Sequence, residues 1–262
     1  MSLKLTEIVD SLIESAPPVE LKEVSQSLSA LTTTSIDDNI EKFAQDKTIA
    51  IDNNNTIVSK YNKDSQSSKY IDYVHKKLFN VDWKHGKVID IEPYHNGTTD
   101  YPAVYDELVD KLAKYGDDYY PSTFAYTVIP ESEGLRIIII GQRANHENFY
   151  TGQWKSNYVV SERGITGDVS LDIHYFEDGN VRLKFNESIN DEGDFVGSAS
   201  KIVNFINDQE NQIVIKIVDQ FNNLNQQSFK NLRRLLPVTR SKINWGSAIG
   251  NYRLGSDVVY KK

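Results

Sequence analysis

Four isoleucines in succession, Ile137, Ile138, Ile139 and Ile140, sit near the middle of this chain of 262 residues. β-Branched side chains favour extended backbone. A strand with one wet face alternates apolar and polar residues, because successive side chains point to opposite sides. Four isoleucines without alternation put apolar surface on both sides, so this strand must be covered from above and below. The fold therefore requires a sheet with a further layer on each face.

The run lies within a series of segments that read as strands, over residues 124–129, 135–142, 154–160, 169–176 and 181–187. Turns containing Gly, Asn or Glu separate them, which predicts an antiparallel meander over about 122–190. Trp154 reads as the anchor at the start of its strand. The last hairpin can be registered from the sequence. A three-residue loop of Glu177, Asp178 and Gly179 sets Tyr175 opposite Val181, Ile173 opposite Leu183 and Leu171 opposite Phe185. The other face then pairs His174 with Arg182 and Asp172 with Lys184. A two-residue loop would set Ile173 against Lys184, burying a charge or exposing the isoleucine. The three-residue loop is therefore expected, with Gly179 in the left-handed position such loops need.

Helical periodicity flanks this sheet. Ile8, Val9, Leu12 and Ile13 predict a first helix ended by Pro17 and Pro18, and Val24, Leu28 and Leu31 a second. Ser35, with Asp38 three residues on, reads as the cap of a third carrying Ile36, Ile40 and Phe43. Residues 1–50 are thus expected to be helical and the polar stretch 52–68 a loop. Residues 73–118 yield no assignment. Beyond Gly197, Ile202, Phe205, Ile206, Ile213, Ile217, Phe221 and Leu224 recur mostly at three, four and seven, which predicts one long amphipathic helix over about 201–236. At 1.5 Å per residue it would measure about 54 Å. The rival reading is a strand over 213–218, which is β-branched and alternating. The flanking Asn, Gln, Asp and Glu without Gly or Pro favour the helix. Pro237 stops it.

The fold class expected is therefore α+β: N-terminal helices, a central antiparallel meander, a long C-terminal helix across the sheet, and a short amphipathic tail. In domain terms, residues 1–236 form a core and 237–262 a tail. A hydrophobic fraction of 39% and a charged fraction of 25% suit a soluble globular protein. The chain has no cysteine, which excludes disulfides, thiolate catalysis and cysteine metal sites. Glu7 stands where a signal peptide needs an apolar run, and no stretch approaches the roughly 20 apolar residues of a membrane span. A soluble, intracellular protein is expected.

Charge singles out the C-terminal end. From Lys230 onward there are eight basic residues and one acid, Asp257, giving +7. The whole chain carries −8, so the first 229 residues carry −15. Lys230, Arg233 and Arg234 fit a helix C-terminus, where the dipole favours cations. Arg240 and Lys242 lie past the proline and need another reason. Trp245, Ile249 and Tyr252 make one apolar stripe on a short helix burdened by Gly246 and Gly250. Such a helix forms against a partner rather than alone in water. A basic arm on an acidic body reads as a binding element for something acidic.

At these residues the sequence resembles a known family. Phe229-Lys230-Asn231-Leu232-Arg233-Arg234-Leu235-Leu236-Pro237 resembles one characteristic run of the F-actin capping protein alpha subunits. Ile173-His174-Tyr175-Phe176-Glu177-Asp178-Gly179-Asn180-Val181 resembles a second. Ala16-Pro17-Pro18-Val19-Glu20 is similar to a Pro-Pro-Gly-Glu run of the family, with Val19 in the glycine place. The resemblance implies an alpha subunit that forms an obligate heterodimer with a beta subunit through a continuous sheet, crossed by long C-terminal helices. It implies that the dimer binds actin filament barbed ends and blocks subunit exchange there, without calcium or nucleotide. It places the actin-binding residues at Lys230, Arg234 and Arg240, with Arg233 and Lys242 as neighbours. Trp245, Ile249 and Tyr252 would supply the apolar part of the grip. Phosphoinositides and proteins carrying a capping-protein-interacting motif are implied as regulators, and the cytoplasm and cortical actin cytoskeleton as the location.

Other chemistry finds little footing. His174, Glu177 and Asp178 are better explained as a cross-strand partner and turn residues of a solvent-facing hairpin than as an acid–base or metal cluster. His75, His85, His95 and His146 lack ligand spacing. No phosphate-cradling glycine loop and no nucleophile elbow occurs. The expectation is a protein that is not an enzyme and holds no cofactor or metal. Two alternatives remain: the arm binds an anionic surface such as phosphoinositide membrane, or it is idle on a structural dimer partner. Nucleic acid is disfavoured by the −15 body.

Overall fold

The structure, a computed structural model, describes residues 5–32, 34–51, 55–95, 103–120, 123–177 and 179–223. Its class is α+β. Three N-terminal helices, α1 (Leu5–Ser15), α2 (Leu21–Leu31) and α3 (Asp37–Lys47), precede β1 (Ile49–Ile51) and β2 (Thr56–Val58). Then follow β3 (Tyr70–Asp72), β4 (Lys77–Asp82), β5 (Lys87–Pro93) and α4 (Tyr105–Tyr119). The meander comprises β6 (Phe124–Glu131), β7 (Gly134–Asn145), β8 (Tyr150–Ser161), β9 (Gly164–Tyr175) and β10 (Val181–Asp191), and α5 (Ala199–Asn223) closes the described chain.

The five long strands form one antiparallel sheet in the order β10-β9-β8-β7-β6, each beside its sequence neighbour. All five predicted strands are present, and most extend further than predicted. Trp154 lies inside β8 rather than at its start, because the strand begins at Tyr150. The last hairpin has the expected register: Tyr175 faces Val181, Ile173 faces Leu183, Leu171 faces Phe185, and Asp172 faces Lys184. Its connection is longer than expected. Pairing with β10 stops at Tyr175 and Val181, while on the β8 side of the strand the Phe176 amide donates to the Phe149 carbonyl at 2.9 Å. Asp178 lies outside the described residues, and with it the left-handed turn expected around Gly179.

The isoleucine run is covered on both faces. Ile137 and Ile139 join Trp154, Tyr158, Leu171 and Ile173 beneath α4 and α5, in a core that includes Leu108, Leu112, Ile202, Ile206, Ile213 and Ile217. Ile138 and Ile140 point the other way and pack with Ala125, Ile129 and Ile57 of β2, flanked by Ala50, Tyr61 and Tyr73. The second cover thus comes from the β1–β2 hairpin, part of which interrupts the loop expected over 52–68. Residues 213–218 are helical. Ile213 and Ile217, one turn apart, are buried while Ile215 is 62% exposed. A strand would have put all three on one face.

A polar contact fixes α5 on the sheet. The Glu210 side chain is fully buried. One of its carboxylate oxygens accepts hydrogen bonds from the Tyr115 and Tyr120 hydroxyls, both at 2.7 Å. The other accepts from Ser156 at 2.8 Å and Tyr158 at 3.4 Å. The Trp154 indole donates to the Ser156 hydroxyl at 2.9 Å. Burying a carboxylate is tolerable only when hydrogen bonds replace its hydration. Gly141 lets one donor ring approach closely: a Cβ there would lie 2.5 Å from the Tyr120 ring.

The N-terminal helices build a separate cluster of Val9, Ile13, Leu28, Ile36 and Ile40. Ile36, not Ser35, precedes the first residue of α3, which has no side-chain cap; the Ser35 hydroxyl accepts the Asp37 amide at 3.3 Å. This unit meets the sheet through Arg182, which donates to the carbonyls of Ser15 at 2.8 Å and Ala16 at 2.9 Å while holding Asp172. The turn that follows is strained. Val19 has φ of 72°, a left-handed conformation that β-branched residues adopt at a cost. The stretch 73–118, unassigned from sequence, holds β4, β5 and α4. β3, β4 and β5 form a three-stranded sheet whose Asp-x-x-His turns bring Asp72 and Asp82 to the rings of His75 and His85, each at 2.7 Å.

Two outcomes are expected in chemical unfolding. Glu210→Leu removes the acceptor shared by three close hydroxyls and loses at least about 3 kcal/mol, whereas Tyr158→Phe costs under about 1 kcal/mol. Val19→Gly leaves stability within about 0.5 kcal/mol of the parent, since relief of left-handed strain offsets the lost side chain and added chain entropy.

Candidate functional site

Among the described residues no three His, Asp or Glu side chains gather as a metal site needs. His174 is not on a solvent-facing hairpin: it is buried, because the turn between α1 and α2 lies over it. Its Nε2 meets Asn180 Oδ1 at 2.5 Å, and its Nδ1 lies 3.5 Å from a Glu20 oxygen. That oxygen also accepts the Thr151 hydroxyl at 3.2 Å. Phe176 stacks near both His174 and Phe149, with ring centroids 5.3 and 6.1 Å apart. The Tyr175 hydroxyl donates to Glu177. This segment therefore joins the sheet to the N-terminal unit and to the β7–β8 turn.

The basic arm begins beyond α5. The helix is held at its middle by Glu210 and along its outer side by Lys216, which pairs with Glu187 of β10 at 2.6 Å. Asn207 donates to the Tyr119 hydroxyl at 3.4 Å. Lys230, Arg233, Arg234, Arg240, Lys242, Trp245, Ile249 and Tyr252 lie outside the described residues, as does the helix expected over 224–236.

One polar surface went unseen in the sequence. Gln142, Gln153, Lys155, Ser170, Asp172, Arg182, Lys184 and Asn186 share the face of the sheet opposite α5, as the register of β7 to β10 requires. They floor a cleft of about 620 Å³ beneath the N-terminal helices. The signal was the alternation within each strand, which identifies a polar face but not its neighbour across the cleft. Burial, then the nearby Lys47 charge, pushes the Lys155 ammonium down to about 8.

Comparison with known proteins places this architecture. The family model described as F-actin capping protein alpha subunit matches residues 9–257. The F-actin-capping protein subunit alpha of Candida albicans is 66% identical over the full length of both chains. That of Debaryomyces hansenii is 54% identical over 100% of this chain and 99% of its own. A solved structure, the homodimeric actin capping protein alpha subunit from Plasmodium berghei, superposes with a TM-score of 0.70 at 23% identity, covering 90% of this chain and 98% of that one. The family model over residues 9–257, and 66% identity to the Candida protein across the full length of both chains, establish that this chain belongs to the F-actin capping protein alpha subunit family.

Proposed function

We propose that this chain is the alpha subunit of a heterodimer that binds actin filament barbed ends and blocks subunit addition and loss there, without calcium or nucleotide. The observation that carries the reading is the family match, which runs to residue 257 and so includes the whole basic segment from Lys230 to Tyr252. Residues 1–236 act as the capping core and 237–262 as the actin-binding tail. Lys230, Arg234 and Arg240, with Arg233 and Lys242 beside them, engage acidic surface on terminal actin protomers, speeding encounter and setting register. Trp245, Ile249 and Tyr252 add the apolar contact that slows release. The role is non-catalytic and belongs to the cytoplasmic actin cytoskeleton, at the cortex. Phosphoinositides and capping-protein regulators would act by competing for, or withdrawing, the same arm.

The fold supports a dimer. β10 is an edge strand of the sheet, with Val181 exposed and Leu183 and Phe185 half-buried. A long edge with apolar residues and backbone groups open to pairing suits continuation by a partner strand. The beta subunit is the partner proposed, extending the sheet beyond β10.

The test is elongation of actin from preformed seeds with free barbed ends. The chain, co-purified with a beta subunit, should stop growth. Lys230→Ala/Arg234→Ala/Arg240→Ala should need at least about tenfold more protein, a loss of about 1.4 kcal/mol or more. Equal potency of the two would remove the arm from the contact. No effect of either would sink the capping reading and leave anionic-surface binding in its place.

A further inference from the structure

We propose that the cleft between the N-terminal helices and the polar face of the large sheet is a docking groove for an acidic, extended peptide segment of a partner protein. The groove is anomalous in charge. Lys22, Lys47, Lys87, Lys155, Arg182 and Lys184 line it, against two carboxylates, Glu14 and Asp172. That is +4, within a part of the chain whose net charge is −15. Asp172 is already engaged: Arg182 holds it at 2.7 Å and Lys184 stands 3.9 Å away. Lys22, Lys47 and Lys87 have no carboxylate within ion-pair distance among the described residues. Lys155 donates to the Lys47 carbonyl, a neutral partner, and its only carboxylate influence is Asp172, already held by Arg182. A cleft lined by one sign of charge, with low-dielectric walls, concentrates the opposite charge.

Shape selects among anions. The floor is the polar sheet face, whereas the opposite wall carries the half-buried side chains of Phe43, Ile49 and Trp83. A small inorganic anion would use the lysines and leave that wall wet. A bilayer surface does not enter a concave site. An extended peptide sends alternate side chains to opposite sides, so one that alternates acidic and apolar residues satisfies floor and wall together. Cationic positions on floor and rim would set the register, and the apolar wall would slow dissociation.

The experiment uses the full chain purified with its beta subunit and a fluorescein-labelled synthetic peptide alternating glutamate with phenylalanine. Fluorescence anisotropy should show saturable binding that weakens with salt. Lys22→Glu/Lys87→Glu should weaken it at least tenfold with an unchanged unfolding midpoint, because neither lysine is ion-paired. A peptide with glutamine in place of each glutamate should not bind. Equal binding to the double variant or by the glutamine peptide would overturn the inference. So would displacement by inorganic triphosphate at concentrations below that of the peptide, which would make this a small-anion site. Loss of the beta subunit from the double variant would mean that subunit occupies the cleft, also overturning it. Both lysines lie outside the basic arm, so the variant should still cap barbed ends, and failure of docking is distinguishable from failure of capping.

Discussion

The hydrogen bonds around Glu210 hold together elements that have little else polar in common. Tyr115 and Tyr120 come from the end of α4, Ser156 and Tyr158 from β8, and all reach one carboxylate on α5. Apolar packing alone would let a helix slide or rotate over a greasy sheet at modest cost, since dispersion is non-directional. A buried carboxylate allows no such latitude, because every displacement strips it of donors in a medium that cannot replace them. Within the apolar packing of α5, that one side chain fixes where along the sheet the helix sits.

The two faces of the sheet are treated differently. Under α4 and α5 the surface is continuous and dry, with Ile137, Ile139, Leu171 and Ile173 all buried. On the opposite face the apolar patch is confined to Ile138, Ile140 and their neighbours against β2. Beyond it the N-terminal unit rests on Arg182 and the buried His174 across a wet, cationic cleft. Contacts to backbone carbonyls orient that unit without requiring close packing. The left-handed Val19, in the place of a family glycine, sits at the same junction.

Capping, on this reading, divides labour between a rigid platform and a charged arm. An acidic body of −15 would repel acidic filament surface, so on the proposed reading the +7 segment from Lys230 supplies the attraction. Electrostatic attraction of this kind acts mainly on encounter and register and is screened by salt. The stripe of Trp245, Ile249 and Tyr252 is proposed as the complementary, salt-insensitive component.

Much of this was legible in the residues. The five strands, the register of the last hairpin, helices α1 to α3 and the helical state of residues 213–218 follow from spacing alone. The stretch 73–118 was not legible: β5 is exposed along almost its whole length and its pairing with β4 is broken by a register shift near Leu78, so neither strand alternates cleanly. The bond from Phe176 to the Phe149 carbonyl and the burial of His174 beneath a turn more than 150 residues earlier join residues far apart in the chain, which strand alternation does not record. Residues 230–252 are known only as sequence, where motif and charge identify them.

The sequence by itself determined the class of fold, the demand for cover on both sides of the isoleucine strand, and the basic arm, because alternation, helical period and charge are properties of neighbouring residues. Only the tertiary structure decided what supplies each cover, that Glu210 is the anchor of α5, and that lysines from α2, α3, β5 and β8 meet in one cleft. Those are contacts between residues far apart in the chain. They arise when the entropy of closing long loops is met by burial and hydrogen bonding, and no local pattern records which distant partner will meet it.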